Sequence, residues 1–334
     1  LHDALPIYTL PQWKTGPEGT AILEAKVEEI RNAGRGKEFD CIIGLSGGAD
    51  SSYMLHKMVT EHGLRPLVFH VDAGWNSEIA VHNIDCMIEK LGLDLYTEVI
   101  NWDEVRDFQL AMFKSGIPCI DTPQDIAFIG VLFQFASKHG IKYILNGGNV
   151  STECVSYPQQ YFYFADLAMI RDILSRFGSV KMKSYPFTSV FYRKFYMPFV
   201  RGVKMFKPLN FMPYLKTEAM SELEEIYGWK PYTQKHFESR FTRFYEGYWL
   251  PTRFGYDVRR VQFSSLILTG QMTREEAEKR AIGAGAHIAS GVSKHLSILV
   301  VGEKAGSKLK KAQALETVEI WTEEEFLKVL SPES

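Results

Sequence analysis

The sequence predicts an α/β fold with a doubly wound parallel sheet, a helical, aromatic-rich insertion and a small C-terminal α/β module. Two observations lead to the sheet. Over residues 13–150, short apolar runs alternate with amphipathic segments, as strands and helices do in units with right-handed crossovers. Three of these runs end in polar turns, and in a parallel sheet such turns lie at the carboxyl edge, where ligands bind.

The composition is that of an ordinary globular protein and limits the classes of function. The 334 residues are 46% hydrophobic and carry a formal net charge of −2, which gives no sign of a nucleic-acid-binding surface. No apolar run has the length of a membrane span, so we expect a cytoplasmic protein with no membrane partner. The cysteines share no C-x-x-C spacing, and we expect no bound metal at them. They are Cys41, Cys86, Cys119 and Cys154.

The elements of the first 150 residues follow from the spacing of the apolar positions. Residues 1–12 carry no periodic signal, and we expect them to form a disordered leader. Apolar runs predict strands that begin near residues 41, 66, 94 and 142. Helical spacing predicts helices over residues 18–31, 51–59, 79–91, 104–115 and 126–139.

A glycine-rich turn joins the first strand to the helix that follows it. Residues 46–52 are Ser-Gly-Gly-Ala-Asp-Ser-Ser. Glycines let backbone N–H groups converge on an anion, and a helix start adds unsatisfied donors and partial positive charge. The spacing is neither that of a Walker A loop, because no lysine follows Gly48, nor that of a dinucleotide fingerprint. We interpret the turn as a phosphate cradle; the alternative is a strand–helix turn without a ligand.

Two further polar stretches are expected beside this turn. Residues 72–77 follow the second strand, and residues 146–153 follow the fourth. Because the carboxyl ends of parallel strands meet at one edge, the three stretches predict a single site there.

The region of residues 151–265 is predicted to be helical and to bind a substrate or partner. Between residues 150 and 198, aromatic and basic residues alternate, which indicates a binding surface, an insertion that packs a small core of its own, or both. Further on, helical spacing over residues 235–244 places Lys235, Arg240 and Arg243 near one side. With aromatic residues opposite, these cations favour an anionic ligand over solvent.

From residue 266 the pattern becomes that of a separate α/β module. We expect a strand over residues 266–270 and a helix that begins near Thr273, with a capping box formed by Thr273 and Glu276. Strands over residues 298–302 and 318–321 and helices over residues 308–316 and 323–330 complete the module of residues 266–334.

Residues 13–276 resemble the N-acetyl sugar amidotransferases of surface-polysaccharide biosynthesis, such as that of the lipopolysaccharide O-antigen. These enzymes are PP-loop ATP pyrophosphatases with an adenine nucleotide alpha hydrolase-like fold. The resemblance rests on motifs at residues 42–52, 70–78, 123–125, 147–149, 207–210 and 235–244. It implies an enzyme that uses ATP and Mg²⁺, releases AMP and pyrophosphate, and converts the N-acetyl group of a nucleotide-linked sugar to an acetamidino group. Ammonia would come from a separate glutaminase subunit with a cyclase-like partner.

The resemblance, with the expected sheet edge, also implies roles for individual residues. Asp50 and Ser51 would be catalytic, and Asp50 would hold Mg²⁺ or orient the phosphates. The residues that would bind ATP are Ser46, Gly47, Gly48, Asp50, Ser51, Ser52, Asp72, Gly74, Trp75, Gly147, Gly148 and Asn149. Those that would bind the substrate are Asp125, Lys235, Arg240 and Arg243.

The tail resembles the BRCT module of bacterial NAD-dependent DNA ligases. This second resemblance rests on residues 290–294, 299–308 and 312–313, and the junction is either a natural fusion or an assembly chimera. Two other functions stay open. The PP-loop also fits an enzyme that modifies tRNA, and the tail fits a protein whose main function is to bind DNA or a protein partner. The first would favour a positive surface and paired reactive cysteines, which the sequence lacks. Nucleic acid is expected as a partner only through the tail.

Overall fold

The computed structural model describes residues 12–155, 166–283, 298–301, 307–315 and 319–322. These residues belong to two compact units, of which the larger ends at Met272 and the smaller begins at Thr273. Apart from residue 12, the predicted leader lies outside the described residues, as do the aromatic residues of 156–165. In the described part of the chain, no helix combines the length and apolar content that crossing a membrane requires.

The larger unit is built on a parallel sheet of five strands, which are β1 (Cys41–Gly44), β2 (Pro66–Asp72), β3 (Leu95–Val99), β4 (Tyr143–Leu145) and β5 (Lys204–Phe206). The strand order is β3-β2-β1-β4-β5, which confirms the predicted doubly wound sheet. β5 was not predicted, because this short edge strand contains no apolar run. The chain adds strands first on one side of β1 and then on the other, so the topological switch point lies between β1 and β4.

Helices cover the sheet and are mostly those predicted. In the larger unit they are α1 (Pro17–Ala33), α2 (Ala49–Thr60), α3 (Glu78–Leu91), α4 (Trp102–Ser115), α5 (Thr122–His139), α6 (Val150–Glu153), α7 (Leu167–Phe177), α8 (Lys216–Tyr227), α9 (Arg240–Phe244), α10 (Leu250–Phe254) and α11 (Arg259–Leu268). A 3-10 turn spans Pro208–Phe211, and π-helical stretches span Tyr192–Arg201 and Tyr245–Trp249. The second π-helical stretch joins α9 to α10 in one helical segment.

Two hydrophobic clusters form the core of the larger unit, one on each face of the sheet. Successive side chains of a strand point to opposite faces. Ile42 and Ile144 belong to the cluster that includes buried residues of α4, α5 and α7. Ile43 and Leu145 belong to the cluster that includes buried residues of α1, α2, α3 and α8. Both faces of the sheet are therefore covered, as expected for a parallel sheet.

The aromatic-rich insertion packs onto the sheet rather than forming a core of its own in its described part. Ile170, Tyr185 and Met197 are buried in the same cluster as the β1 residue Ile42. Two buried carboxylates of α4 hold the connecting segment: Asp107 accepts the N–H groups of residues 179 and 180, and Glu104 accepts those of residues 183 and 184. Of the two predicted alternatives, the separate small core is wrong for these residues.

The strand predicted over residues 266–270 is wrong. Leu266 lies in the last turn of α11, and the N–H groups of Gln271 and Met272 both donate to its carbonyl oxygen. Gly270, with a φ of 75°, turns the chain out of the helix in the left-handed conformation that glycine favours. The short apolar run was ambiguous between strand and helix end, and the helix-ending bonds decided it.

The smaller unit begins with helix α12 (Arg274–Gly283), and its capping box is confirmed. The Thr273 N–H donates to Glu276 Oε2 at 2.8 Å, and the Glu276 N–H donates to Thr273 Oγ1 at 3.2 Å. The unit also contains α13 (Ser307–Gln313) and a parallel pair of strands, β6 (Ile298–Val301) and β7 (Glu319–Thr322). Residues 290–294 and the helix predicted over 323–330 lie outside the described residues, so the BRCT-like module stays a prediction.

Candidate functional site

The glycine-rich turn after β1 and the polar turn after β4 meet at the topological switch point. A Cβ atom at Gly147 would lie 2.9 Å from the backbone nitrogen of Ser51, so this close approach requires glycine. The Asn149 amide donates to Asp50 Oδ1 at 3.1 Å, and its oxygen caps α6 by accepting the Thr152 N–H at 2.9 Å. The structure thus brings two of the predicted stretches into direct contact.

The turn after β1 is held from behind through Gly47. Three donors converge on its carbonyl oxygen: the side chains of Asn83 at 3.2 Å, Trp229 at 3.1 Å and Tyr232 at 3.1 Å. Gly47 has a φ of 81°, and a Cβ atom there would lie 2.7 Å from the carbonyl oxygen of Ala80. These contacts fix the loop conformation before any ligand arrives, which is the condition for a preorganised anion site.

Hydrogen-bond donors line the open side of the turn. Ser46 and Ser51 contact each other through their hydroxyls at 3.1 Å, and both hydroxyls can reorient towards a ligand. Gly48, the N-cap of α2, has no side chain with which to cap the helix. Within the described residues, the first N–H groups of α2 at positions 49–51 therefore have no acceptor. The turn presents donors and partial positive charge, as a phosphate cradle must.

Asp50 is ionised and oriented by three neighbours. The Tyr214 hydroxyl donates to Oδ1 at 2.5 Å, beside the Asn149 amide, and Lys235 Nζ lies 3.4 Å from Oδ2. Burial alone would raise the pKa of Asp50, but the positive charges of Lys235 and Lys216 outweigh it and lower that pKa. The carboxylate consequently stays charged and holds Lys235 next to the loop.

Lys235 is a charged lysine whose side chain is only 10% exposed and is surrounded by polar groups. Its ammonium group donates to Thr152 Oγ1 at 2.9 Å and to Glu153 Oε1 at 2.8 Å, in addition to its contact with Asp50. Burial works to lower the pKa of Lys235, yet the carboxylates of Asp50 and Glu153 raise it well above its ordinary value. The site therefore contains one fixed positive charge close to the cradle.

His236, whose side chain is 34% exposed, links this network to the buried Glu246. His236 is the one residue other than glycine with a positive φ among the described residues, at 66°, a conformation that strains ordinary side chains. Its Nδ1 contacts the buried Glu246 Oε1 at 3.0 Å, and its Nε2 lies 3.9 Å from Glu153 Oε1. Burial lowers the pKa of His236, but Glu246 and Glu153 raise it to about 10. A positive imidazolium thus supports the carboxylate that holds Lys235.

Asp125, a predicted substrate-binding residue, lies in the first turn of α5 beside a second carboxylate. Its pKa is raised to about 8 by burial, then by the negative charges of Asp121 and Glu246, against the effect of His236. The pKa of Asp121 is raised to about 6, mainly by burial. Asp125 is therefore largely protonated at neutral pH and can donate a hydrogen bond as well as accept one.

Asp125→Asn is expected to stabilise the protein in a pH-dependent way. Between an unfolded-state pKa of about 3.9 and the folded-state pKa of about 8, the folded state holds a proton that the unfolded state has released. The free energy of unfolding of the wild type therefore falls as pH rises through this window, whereas asparagine carries no proton to lose and avoids this fall. The variant should melt like the wild type at a pH near the unfolded-state pKa. Above the folded-state pKa it should melt at least about 2–4 °C higher, the shift expected for about 1 kcal/mol in a domain of this size.

Thermal melts over that pH range test this prediction. The matched control is Asp103→Asn, which removes a carboxylate whose side chain is 72% exposed, and at high pH the melting difference of Asp125→Asn should exceed that of the control. Parallel melting curves for wild type and Asp125→Asn at all pH values would contradict the raised pKa.

Asp72, Gly74 and Trp75 lie at the end of β2, as predicted. Asp72 Oδ1 accepts the Gly74 N–H at 2.7 Å. A Cβ atom at Gly74 would lie 2.8 Å from the ring of Trp102, so glycine is required there too. The Trp75 indole is packed edge-on against Trp102 at 5.3 Å between ring centroids and tilted against Phe241 at 5.3 Å. These contacts set the shape of the sheet edge next to the cradle.

Ser52 is placed less favourably for ATP than predicted. Its side chain is fully buried, and its N–H donates to the Gly48 carbonyl at 3.1 Å. Within the described residues, Ser52 Oγ has no hydrogen-bond partner. Gly148, also predicted to bind ATP, lies beside polar and charged groups: a Cβ atom there would be 2.8 Å from Asn146 Oδ1 and 3.3 Å from Lys207 Nζ.

The prediction that Lys235, Arg240 and Arg243 share one helical side is wrong. Helix α9 begins only at Arg240, and the preceding residues form turns, so Lys235 lies at the cradle while the arginines lie elsewhere. Arg240 and Arg243 line an open groove of about 490 Å³, whose other lining residues are Phe237, Phe244, Gly247 and Tyr248. The Arg243 guanidinium lies over the Phe237 ring, 5.7 Å from its centroid.

Glu238 is a site residue that the sequence analysis missed. Its Oε1 lies 3.0 Å from where a Cβ atom of Gly48 would be, so its carboxylate stands beside the cradle. The backbone around it is clamped to the turn after β2: the Ser77 N–H donates to the Glu238 carbonyl at 2.9 Å, and the Arg240 N–H donates to the Trp75 carbonyl at 2.8 Å. The sequence feature that could have indicated Glu238 is its position between Lys235 and Arg240 in the motif at residues 235–244.

Fold and site together define a doubly wound α/β protein with a glycine-rich loop of N–H donors, unpaired within the described residues, and a largely buried lysine at its topological switch point. Residues 238–283 match the family model described as "LPS biosynthesis protein WbpG-like, C-terminal domain". The matched segment includes Glu238, both groove arginines and helices α9 to α12.

Three solved structures resemble the chain in part. The NMN synthetase from Francisella tularensis is 14% identical, with 66% of this chain and 98% of that chain covered and a TM-score of 0.33. The NH3-dependent NAD synthetase from Campylobacter jejuni is 11% identical, with 81% and 98% covered and a TM-score of 0.36. The U34-tRNA thiolase NcsA from Methanococcus maripaludis is 16% identical, with 76% and 79% covered and a TM-score of 0.34. Likenesses this distant carry no information on the substrate.

Proposed function

We propose that the protein is an ATP-dependent amidotransferase that converts the N-acetyl group of a nucleotide-linked sugar to an acetamidino group in lipopolysaccharide or similar surface-polysaccharide biosynthesis. The observation that carries this proposal is the preorganised cradle at the switch point, with Lys235 fixed beside it by Asp50. The match of residues 238–283 to a domain of lipopolysaccharide biosynthesis proteins supports the choice of pathway.

The reaction needs activation of a poor electrophile. The acetamido oxygen attacks the α-phosphorus of ATP, the bond to the β-phosphate oxygen breaks, and pyrophosphate leaves. Ammonia then adds to the imidate carbon and loses a proton to a base, and AMP departs with the former acetamido oxygen. The protein's contribution is positioning and charge stabilisation: the cradle binds the departing pyrophosphate, and Lys235 neutralises charge that develops beside it.

Two roles were predicted for Asp50, to hold Mg²⁺ or to orient the phosphates. Oδ1 already accepts two hydrogen bonds and Oδ2 faces an ammonium group, so a direct bond to Mg²⁺ fits poorly. We propose that Asp50 acts on the phosphates indirectly, by orienting Lys235. No three His, Cys, Asp or Glu side chains converge as metal ligands among the described residues. Mg²⁺ commonly binds through substrate phosphates and one or two carboxylates, and beside the cradle Glu238 fits such a contact.

The groove beside α9 is the proposed site for the sugar nucleotide. Arg240 and Arg243 carry side chains suited to a diphosphate or a uronate carboxylate. Phe237, Phe244 and Tyr248 offer aromatic faces to the same space, as recognition of a base or sugar ring requires. In this assignment the protonated Asp125, which interacts electrostatically with His236 and Glu246 of the segment that forms the groove, donates a hydrogen bond to the acetamido group.

The nitrogen is proposed to arrive as ammonia from a separate glutaminase subunit with a cyclase-like partner. Glutamine hydrolysis of the usual kind needs a reactive thiolate. Cys41 and Cys119 are buried, and burial, then the charge of Asp40, raises the pKa of the Cys41 thiol. Burial likewise raises the pKa of Cys86 and of Cys154. The raised pKa values leave the thiols of Cys41, Cys86 and Cys154 mostly protonated, and Cys119 is shielded by its burial.

Product analysis tests the proposed function. The protein is incubated with ATP, Mg²⁺, ammonium and a UDP- or CMP-linked diacetamido sugar, and we expect AMP and pyrophosphate in equal amounts with one oxygen of the sugar replaced by NH in the mass spectrum. Glutamine in place of ammonium should give no product until a glutaminase is added. ADP and orthophosphate as products, or an unchanged sugar, would contradict the assignment.

A further inference from the structure

An exposed aromatic stripe lies on the π-helical stretch next to the edge strand β5. Phe191, Phe195 and Phe199 follow one another at intervals of four residues and are 68%, 57% and 80% exposed. Their rings form a ladder, with centroids 5.6 Å apart between the first pair and 6.4 Å between the second. Val190 and Val200, 50% and 68% exposed, extend the stripe at its ends.

The helical stretch that carries the stripe is firmly attached through its other face. Met197 is fully buried in the core. Arg201 donates to the Ser137 hydroxyl at 2.8 Å and to the Ser137 carbonyl at 2.7 Å, which ties the end of the stretch to α5. The phenylalanines are thus presented on a rigid support, and such an apolar patch on a protein surface usually marks an interaction site.

The charge of the surrounding chain specifies the kind of partner. Between Asp172 and Glu218 the sequence contains no aspartate or glutamate and nine lysines or arginines, although the whole chain has a net charge of −2. Lys204 pairs with Glu29 at 3.1 Å and Lys216 interacts with Asp50, but Lys194, next to Phe195 in the sequence, is exposed, as are Lys181 and Lys183. A positive segment that presents phenylalanines complements a surface that is negative outside and apolar beneath.

We propose that this stripe binds peripherally to an anionic lipid surface. The phenylalanines would enter the boundary between headgroups and acyl chains, and the lysines would lie among anionic headgroups, as in interfacial amphipathic helices. Single-stranded nucleic acid binds by stacking its bases on aromatic rings, and Val190 and Val200 at the ends of the stripe have no ring on which a base could stack, so the stripe fits a lipid surface better. The sequence predicted no membrane partner because no segment can cross a bilayer, and adsorption to its surface requires no such segment.

Vesicle co-sedimentation of the full chain tests this proposal. We expect the protein to sediment with phosphatidylglycerol-containing vesicles, and to remain in the supernatant with phosphatidylcholine vesicles. The triple variant F191S/F195S/F199S should lose at least about tenfold in apparent affinity, since each phenylalanine contributes apolar burial. Lys194→Glu should lose about fivefold or more, the scale for one basic residue at an anionic surface.

Matched controls separate lipid binding from other causes. V99S/I226S removes two exposed apolar side chains from other surfaces, 70% and 41% exposed, and should bind vesicles like the wild type. All variants should keep the wild-type melting temperature, because the replaced side chains are exposed. The proposal is overturned if the wild type ignores anionic vesicles or the triple variant binds them equally. The proposal would also be overturned if the wild type is a dimer and the triple variant is a monomer, because the stripe would then be the contact between two copies of the chain.

Discussion

Asp50→Asn is expected to lower the rate of AMP formation by about 100-fold or more, the usual scale for losing one preorganised charge-stabilising group. Asparagine keeps an oxygen for the Tyr214 hydroxyl, which donates to Oδ1 at 2.5 Å. Its amide group, however, cannot attract Lys235, whose ammonium lies 3.4 Å from Oδ2. The lysine would then be held mainly by Glu153 at 2.8 Å, away from the position where charge develops.

We expect Asp50→Asn to lower the turnover rate much more than the affinity for ATP. Turnover is measured by AMP release with ammonium as nitrogen source, ATP affinity by calorimetry, and folding by the melting temperature. Glu61→Gln is the matched control, because Glu61 follows the far end of the same helix α2 and its side chain is 54% exposed. Near-normal turnover in Asp50→Asn would remove Asp50 from the mechanism, whereas a protein that no longer folds would show that its role is structural.

Gly47→Ala is expected to weaken ATP binding at least tenfold. Alanine at a φ of 81° costs about 1–2 kcal/mol from backbone strain alone. Its methyl group would also lie 2.7 Å from the Ala80 carbonyl oxygen, so the loop must move. Movement breaks the alignment of the donors at the start of α2, and it strains the hydrogen bonds that Trp229 and Tyr232 make to the Gly47 carbonyl.

Gly63→Ala provides the control for backbone strain without contact. Gly63 also has a positive φ, of 58°, but a Cβ atom there would have no atom within 4 Å. We expect both variants to melt at lower temperature than the wild type and only Gly47→Ala to lose ATP affinity, as measured by calorimetry. Equal ATP affinity in the wild type and Gly47→Ala would show that the cradle does not bind the nucleotide in the way proposed.

Much of the fold could be predicted because its signals are local. β1, β2 and β4 are short apolar runs, and each helix between the first four strands repeats apolar positions at helical spacing, so element type and order follow from neighbouring residues. β5 and the end of α11 were misjudged for the opposite reason. Lys204–Phe206 becomes a strand only by pairing with β4, and the run at residues 266–270 ends a helix through bonds to Leu266.

Part of the candidate site could likewise be predicted from local sequence, and part could not. The turn at residues 46–52 and the turn at residues 146–149 could be recognised separately, and the rule for parallel sheets placed them at one edge. The positions of Lys235 and Glu238 could not be derived from helical spacing, because the chain before α9 is not helical. Lys235 reaches Asp50 across 185 positions of sequence, and only packing determines such a contact.

The sequence by itself determined the doubly wound sheet and the glycine-rich turn with its donors, since apolar periodicity and glycine placement act over a few residues. The tertiary structure alone decided which charges meet. It placed Lys235 between Asp50 and Glu153, separated it from the groove of Arg240 and Arg243, and raised the pKa of Asp125 to about 8 by burying it beside Asp121. The physical reason is that a charge's effect depends on distance and on exclusion of water, and both arise only when distant segments pack together.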